Sequence, residues 1–405
     1  MPTDESFDAG TWRAYNGVMT ATFPFNPPSG IGPDPEVVGL QSSPDLEPVA
    51  LSTGGKAYIA TRYDDVRTTL ADPRFSLAAG AVPGSPTMMP GTQGIPAFTN
   101  MDAPDHTRIR SLVAKAFNAR AVARMQPRVV AIVDSLLSAM EPGDFVTQFA
   151  RPLPATVMSD MLGIPVEDRG VLWDWVTVTT SLARPAEGAV EEATLRAAAY
   201  LAGEFESRRR SPRDDLLSDL VHAHDAGDRL SVDELISTVM VLFSAGQETT
   251  SSQLSLGVLL LSQHPDQWEL LVESPSLVPA AVEEMLRYIR LVEVGMPRVA
   301  LEDVPLSAGV VPAGASVLPA TAAANRDPAV FSSPEVFDIT RDTGRHIGFG
   351  HGPHFCLGAA LARLELQVAF DALVRRLPGL RVDAADLAWN VETFTGGLKA
   401  LPVSW

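Results

Sequence analysis

Residues 348–358, GFGHGPHFCLG, hold the only cysteine of a 405-residue chain. Four glycines, two histidines and a proline surround Cys356. The residues that follow, LGAALARLELQVAFDALVRRL, carry apolar side chains at helical spacing, which places Cys356 at a helix N-terminus. Free N–H groups and the helix dipole stabilise negative charge there, so the position suits a thiolate. Packing as a small apolar group is the commonest fate of a lone buried thiol. Structural zinc needs three further ligands at close spacing, and no second cysteine exists. Nucleophilic catalysis needs a facing base, and His354 stands too near in sequence to face the thiol as a dyad does. Gly348, Gly350 and Gly352 let the loop turn tightly, and Gly358 lets the backbone approach something flat and large.

Composition sets the frame. Against 31 Lys plus Arg stand 49 Asp plus Glu, a net charge of −18 that favours solubility and disfavours nucleic acid as the main partner. One cysteine cannot form an internal disulfide, so nothing depends on an oxidising compartment. The stretch MPTDESFDAGTWRAYNG has no basic segment leading into an apolar run, which argues against a secretory signal. The longest apolar runs, near 235–246 and 254–262, are interrupted by polar residues and fall short of a membrane span. A cytoplasmic protein without membrane attachment is expected, and a monomer. No Gly/Ser linker and no fixed-period repeat is present, so a single domain over 1–405 is the simplest organisation.

Apolar periodicity predicts helices over 104–118, 121–139, 192–210 and 213–225. Ser231 and Glu234 stand in capping-box spacing ahead of about thirty apolar-rich residues that stop at His264-Pro265, a helix long enough to cross the core. KAYIATR (56–62), residues 304–324 and the tail LKALPVSW read as short strands with Gly/Pro turns. Residues 79–98 are too rich in Pro and Gly for either element and form a long loop. The fold class is mainly α with smaller β sheets.

The flat object inferred beside Gly358 is a haem, its iron bound axially by the Cys356 thiolate. FGHGPHFCLG resembles the haem-thiolate signature of the cytochromes P-450 at every constrained position, from Phe349 through Gly352 and His354 to Cys356 and Gly358. Three further motifs fall in that family's order, so the resemblance, to the soluble actinomycete-like type, covers nearly the whole chain from about residue 55. It implies the family's fold, with the long central helix over haem b.

The first motif is AGQETT, 245–250. Ala245 and Gly246 leave a gap on one helix face, and Thr249 lies four residues beyond Ala245 on that face. The residues allow two readings: a place for bound oxygen, or a Thr249 that bonds back to the Ala245 carbonyl beside a solvated Glu248. The resemblance favours the first and implies that Glu248 and Thr249 manage protons while dioxygen is split. The second motif is EEMLRY, where Glu284 and Arg287 stand three apart on one face and can pair. In the family this pair is a buried structural clamp completed by a further arginine; here Val336 occupies the place where that arginine often stands, and Arg341 is the candidate substitute, which leaves the third member open. The third is a set of basic residues. DHTRIR puts His106 and Arg110 four apart, and charge-assisted bonds to carboxylates are strong. The resemblance implies that His106, Arg110, Arg298 and His346 hold the haem propionates, with His354 adding a contact.

No flavin or nicotinamide fingerprint occurs, so electrons come from outside. A small acidic ferredoxin with its NAD(P)H-dependent ferredoxin reductase is the expected source. Lys115, Arg120, Arg124 and Arg363 form either a basic docking patch or a scattered solvated face. For the substrate, Val241, Leu242, Ala245 and Thr249 share the haem-facing side of the long helix. Met88 and Met89 line a lid or fill core. Val292 and Val294, and Phe394 and Thr395 in a terminal hairpin, match regions where the family touches substrate, and Glu293 is available to a polar group. An apolar pocket of this kind suits a terpenoid, polyketide or other bulky natural product. The expected activity is a haem-thiolate monooxygenase that hydroxylates or epoxidises it with O2; desaturation or oxidative coupling, or a catalytically silent haem- or partner-binding protein of the same fold, are the alternatives.

Overall fold

In the computed structural model, residues 22–26, 29–88, 93–94, 97–181, 186–225, 230–385, 387–393 and 395–405 are described; the expected substrate contacts Met89 and Phe394 lie outside them. The helices that matter to the site are α1 (Tyr63–Ala71), α2 (Asp105–Val113), α3 (Ala119–Ala139), α4 (Pro152–Leu162), α5 (Arg169–Thr179), α6 (Ala189–Arg210), α7 (Leu216–Asp225), α8 (Val232–Gln263), α9 (Pro265–Glu273), α10 (Val278–Tyr288) and α11 (Ala359–Arg376). Among the described residues none is long and apolar enough to cross a membrane.

The capping box forms as its spacing requires. The Ser231 hydroxyl accepts the Glu234 N–H at 3.1 Å, and the Glu234 carboxylate accepts the Ser231 N–H at 2.8 Å. Arg108 of α2 grips the same carboxylate at 2.6 Å, tying the start of α8 to α2. From there α8 runs 32 residues through the main hydrophobic core, buried along most of its second half from Thr250 to Leu261. At its far end His264 turns a ring nitrogen to the Leu260 carbonyl at 2.9 Å, and Pro265 opens α9. Helix α2 is shorter than the pattern predicts: the chain turns after Val113, because the Asn118 side chain accepts the Ala121 N–H and caps α3 instead.

The strands expected within 56–62, 304–324 and the tail appear at β2 (Lys56–Ala60), β3 (Val304–Leu306), β4 (Gly309–Val311), β5 (Ser316–Pro319) and β6 (Pro402–Ser404), and a further strand, β1 (Val49–Leu51), was not anticipated. In the largest sheet β2 pairs β5 in parallel, Tyr58 opposite Val317. Period-two alternation gives this sheet two apolar faces. Ala57, Ile59 and Leu318 point into one small core, and Ala60 and Val317 into another. Residues 304–324 end not in a strand but in a short helical turn, Thr321–Ala324.

Glycine conformation shapes the cysteine loop at two points. Gly352 has φ +74° and sits so close to α1 that a Cβ would lie 2.9 Å from both the Ala71 Cα and the Leu70 carbonyl oxygen. A Cβ on Gly348 would collide with the Leu286 carbonyl of α10. The loop is wedged between two helices where only hydrogen side chains fit.

Candidate functional site

Cys356 stands three residues ahead of the first residue of α11, with Gly358 at the N-cap. Its N–H donates to the Phe349 carbonyl at 2.9 Å, closing the loop on itself. The side chain is accessible to solvent although protein surrounds it, the mark of a group lining an internal hollow. That burial pushes the thiol pKa up; the Gly358 N–H, Arg110 and Arg363 act the other way, each favouring the thiolate. A Cβ built on Gly358 meets nothing within 4 Å, so the backbone borders open space there.

A corner built for an anion lies beside the cysteine loop. The rings of His106 and His354 stack with centroids 3.9 Å apart, and both histidines share their electrostatic surroundings with Arg110 and Asp102. Burial lowers the pKa of both, that of His354 to about 3 with His106, Arg298 and Arg110 contributing, so both rings are neutral at physiological pH. Arg298 is 4% exposed, and its hydrogen bond among the described residues is to the Met296 carbonyl at 3.3 Å. Burial brings even this guanidinium down to about 10, against a partial opposing pull from Asp102. The Nε2 of His106 is buried with no hydrogen-bond partner among the described residues. A buried cation without an ion-paired carboxylate and an orphaned ring nitrogen together call for an acceptor carrying negative charge. The carboxylates of a haem would fit that demand, and Cys356 would supply the sulfur ligand to its iron. Arg110 donates to the Phe355 carbonyl, at the boundary between corner and cysteine.

His346 does not join this corner. Its Nε2 lies 2.8 Å from the Glu283 carboxylate, and Arg363 holds the same carboxylate at 2.6 and 2.9 Å. His346, expected among the propionate contacts, is engaged by Glu283 instead, whereas His354 stacks on His106 in the corner. Asp102 was not anticipated. It caps the turn at Leu77 by accepting that residue's N–H at 3.0 Å, also accepts from the Ser76 hydroxyl, and supplies the one negative charge that acts on His106, His354 and Arg298.

The clamp is complete. Arg287 donates to both Glu284 oxygens at 2.7 and 2.8 Å, and Arg341 reaches Glu284 at 3.2 Å as the substitute arginine. Val336 contributes through its backbone: its carbonyl accepts from Arg341 at 3.0 Å and from Arg287 at 3.3 Å.

On α8, Ala245 is exposed although Phe243 and Gln247 beside it are buried, so its methyl faces the hollow, with Val241 and Thr249 half-buried one turn to either side. The Thr249 hydroxyl donates to the Ala245 carbonyl at 2.7 Å, the local bond weighed from the sequence, which leaves its oxygen free to accept. Among the described residues Glu248 has no hydrogen bond or ion pair, and it is half-buried. Gly246 does not open a gap toward the hollow. A Cβ there would lie 2.5 Å from the Met158 sulfur, so its missing side chain lets α4 pack on α8.

Of the expected substrate contacts, Val292 is half-buried and Thr395 is 9% exposed, its hydroxyl unpartnered among the described residues. Thr395 belongs to a terminal hairpin in which Asn390 N–H meets the Gly397 carbonyl at 2.9 Å, and Gly397 presses on Ser252 of α8. Leu242, Met88 and Val294 are packed in cores instead, Met88 and Val294 in the one that also holds Ile59 and Leu318. Glu293 is half-buried and accepts the Asp34 N–H at 3.0 Å, so it serves the chain itself. Among the described residues its other oxygen is unpartnered, and desolvation raises its pKa to about 7.

Comparison with known proteins agrees with this geometry. The family model described as cytochrome P-450 matches residues 156–378. The chain is 39% identical to nocardicin C N-oxygenase of Nocardia uniformis subsp. tsuyamanensis, over 95% of this chain and 99% of that protein. It is 39% identical to mycinamicin IV hydroxylase/epoxidase of Micromonospora griseorubida, over 95% and 98% respectively. The crystal structure of the cytochrome P-450 hydroxylase from the leinamycin pathway of Streptomyces atroolivaceus superposes with a TM-score of 0.85 at 41% identity, covering 95% of this chain and all of that one. With a cysteine loop, an anion corner, a buried clamp and near full-length likeness in agreement, the chain belongs to the cytochrome P-450 family.

Proposed function

We propose that this haem-thiolate monooxygenase hydroxylates or epoxidises a bulky, largely apolar natural-product-type substrate, with electrons from a ferredoxin and an NAD(P)H-dependent ferredoxin reductase. The observation that carries the reading is the exposed Ala245 in the middle of a core helix, flanked by Val241 and Thr249: an apolar wall with one hydroxyl. The relatives' names, an N-oxygenase of nocardicin C and a hydroxylase/epoxidase of mycinamicin IV, support a natural-product substrate.

Haem bound at Cys356 supplies the oxygen activation and the oxidising power. The chain supplies the setting. Arg298, His106, Arg110 and His354 hold the propionates, the histidines as neutral donors and the arginines as cations. The Gly358 N–H and Arg110 favour the thiolate form of Cys356 against the burial that raises its pKa. Apolar side chains at 241 and 245 exclude water from the reacting face and orient the substrate. The Thr249 oxygen accepts a hydrogen bond from a proton-bearing group in the hollow, and Glu248 passes protons inward from solvent. For the electron donor, Lys115, Arg120 and Arg124 are exposed and available to an acidic partner, whereas Arg363 is engaged by Glu283.

The test is the absorption spectrum of the dithionite-reduced, carbon-monoxide-bound protein with and without Cys356→Ala, followed by NADH consumption with a surrogate ferredoxin and reductase. A strongly red-shifted Soret band lost in the variant, and product formed in step with NADH, are expected. A band at the position of histidine-ligated haem, or haem that turns over no substrate from a terpenoid and polyketide panel, would overturn the reading.

A further inference from the structure

Glu283 and Glu284 are neighbours on α10, and successive helical residues point about 100° apart. Glu284 enters the clamp, so Glu283 leaves the helix in another direction and finds other partners. Both its oxygens face Arg363 of α11, and His346 supports the oxygen that Arg363 Nη2 holds. The Arg363 guanidinium then lies over Phe349, its central carbon 4.6 Å from the ring centroid. Phe349 is the residue whose carbonyl accepts the Cys356 N–H, and Arg363 is one of two cations whose charge acts on the Cys356 sulfur. The contacts therefore run without interruption from Glu283 to the sulfur through one cation and one ring.

We propose that Glu283 is a positioning residue which, by neutralising Arg363 and holding it over Phe349, sets the positive potential at the Cys356 thiolate and so the reduction potential of the bound haem. The proposal rests on Cys356 being the iron ligand. Its logic is electrostatic. Ferrous haem carries one more negative charge than ferric, so an uncompensated cation nearby favours the ferrous form and a lost cation favours the ferric. A carboxylate paired with that cation by two hydrogen bonds cancels most of its field. The other cation acting on the sulfur, Arg110, donates to a carbonyl rather than to a carboxylate, so Glu283 compensates Arg363 alone.

Spectroelectrochemical titration of the haem-loaded full chain tests this. At an applied potential fixed at the wild-type midpoint, Glu283→Gln is expected to raise the ferrous-to-ferric ratio by about threefold and Arg363→Met to lower it by about as much. Glu283→Asp, which keeps the carboxylate, is expected to return the ratio to within about twofold of wild type. Should Glu283→Gln not fold, Arg363→Met at its half-buried site carries the test by itself. Opposite signs distinguish field from packing, since a mere loss of packing displaces both variants in one direction. Ratios that stay at the wild-type value, or that move together while the carbon-monoxide band keeps its thiolate position, overturn the proposal alone. A histidine-type band in the wild type removes its premise and the functional reading with it.

Discussion

Arg298 shows how one residue is held in a costly state for a purpose. A buried guanidinium without an ion-pair partner is a liability to the fold, and its lowered pKa, brought down by burial, expresses that. The liability becomes binding energy once a carboxylate arrives. Arg298→Met is therefore expected to have divided effects: haem retention falls by about ten- to a hundredfold, the value of one or two charge-assisted bonds, while the haem-free chain melts no lower than wild type. Haem transfer to an acceptor protein measures the first and thermal denaturation of the haem-free protein the second. A haem-free variant that melts well below wild type would mean that Arg298 supports the fold.

At the level of elements, Gly246 explains why α4 and α8 approach so closely. The Met158 side chain, part of the main core, occupies the volume a Cβ would need. Gly246→Ala is expected to destabilise the protein by about 1–3 kcal/mol through overpacking, and adding Met158→Ala to recover part of that loss. Chemical denaturation of the two single variants and the double variant gives the coupling directly; additive losses would show that the glycine acts through its own backbone. Helix α10 makes three contacts that bear on the site. One face carries Glu284 into the clamp, another carries Glu283 to Arg363, and the Leu286 carbonyl meets Gly348 of the cysteine loop.

For the whole molecule, the Glu283 cluster predicts part of the response to acid. Hydrogen bonds and charge from His346 and Arg363 outweigh burial and hold the Glu283 carboxyl at about 2, below its ordinary 4.5. A carboxylate whose pKa is depressed by folding adds stability that is present above 4.5 and disappears as the pH falls toward 2. The stability difference between wild type and Glu283→Gln should therefore be constant from neutrality down to about pH 5 and close below it; thermal midpoints across that range measure it, and a difference independent of pH would refute the assignment. What could be read from the sequence divides along a physical line. Cys356, the capped long helix, Glu284 with Arg287, and His106 with Arg110 were legible because loop chemistry and helical spacing of three or four residues act locally. The partner of His346 was not, since Glu283 lies 63 residues away and only tertiary packing brings them together. The same holds for Gly246 against Met158 and for Met88, whose sheet-side core no local pattern reports. Glu283 did leave a trace: two adjacent glutamates on one buried helix cannot share a partner, so the second needed one elsewhere.

Position 336 carries one further consequence. Its side chain is exposed while its carbonyl serves both arginines of the clamp. Every amino acid brings the same carbonyl, so the position is free to drift in identity and rigid in length. Swapping residues there leaves the clamp supplied, whereas inserting or deleting a single one shifts the carbonyl out of reach of Arg287 and Arg341 together. The constraint is recorded in the spacing of the chain and is invisible to any comparison of side chains.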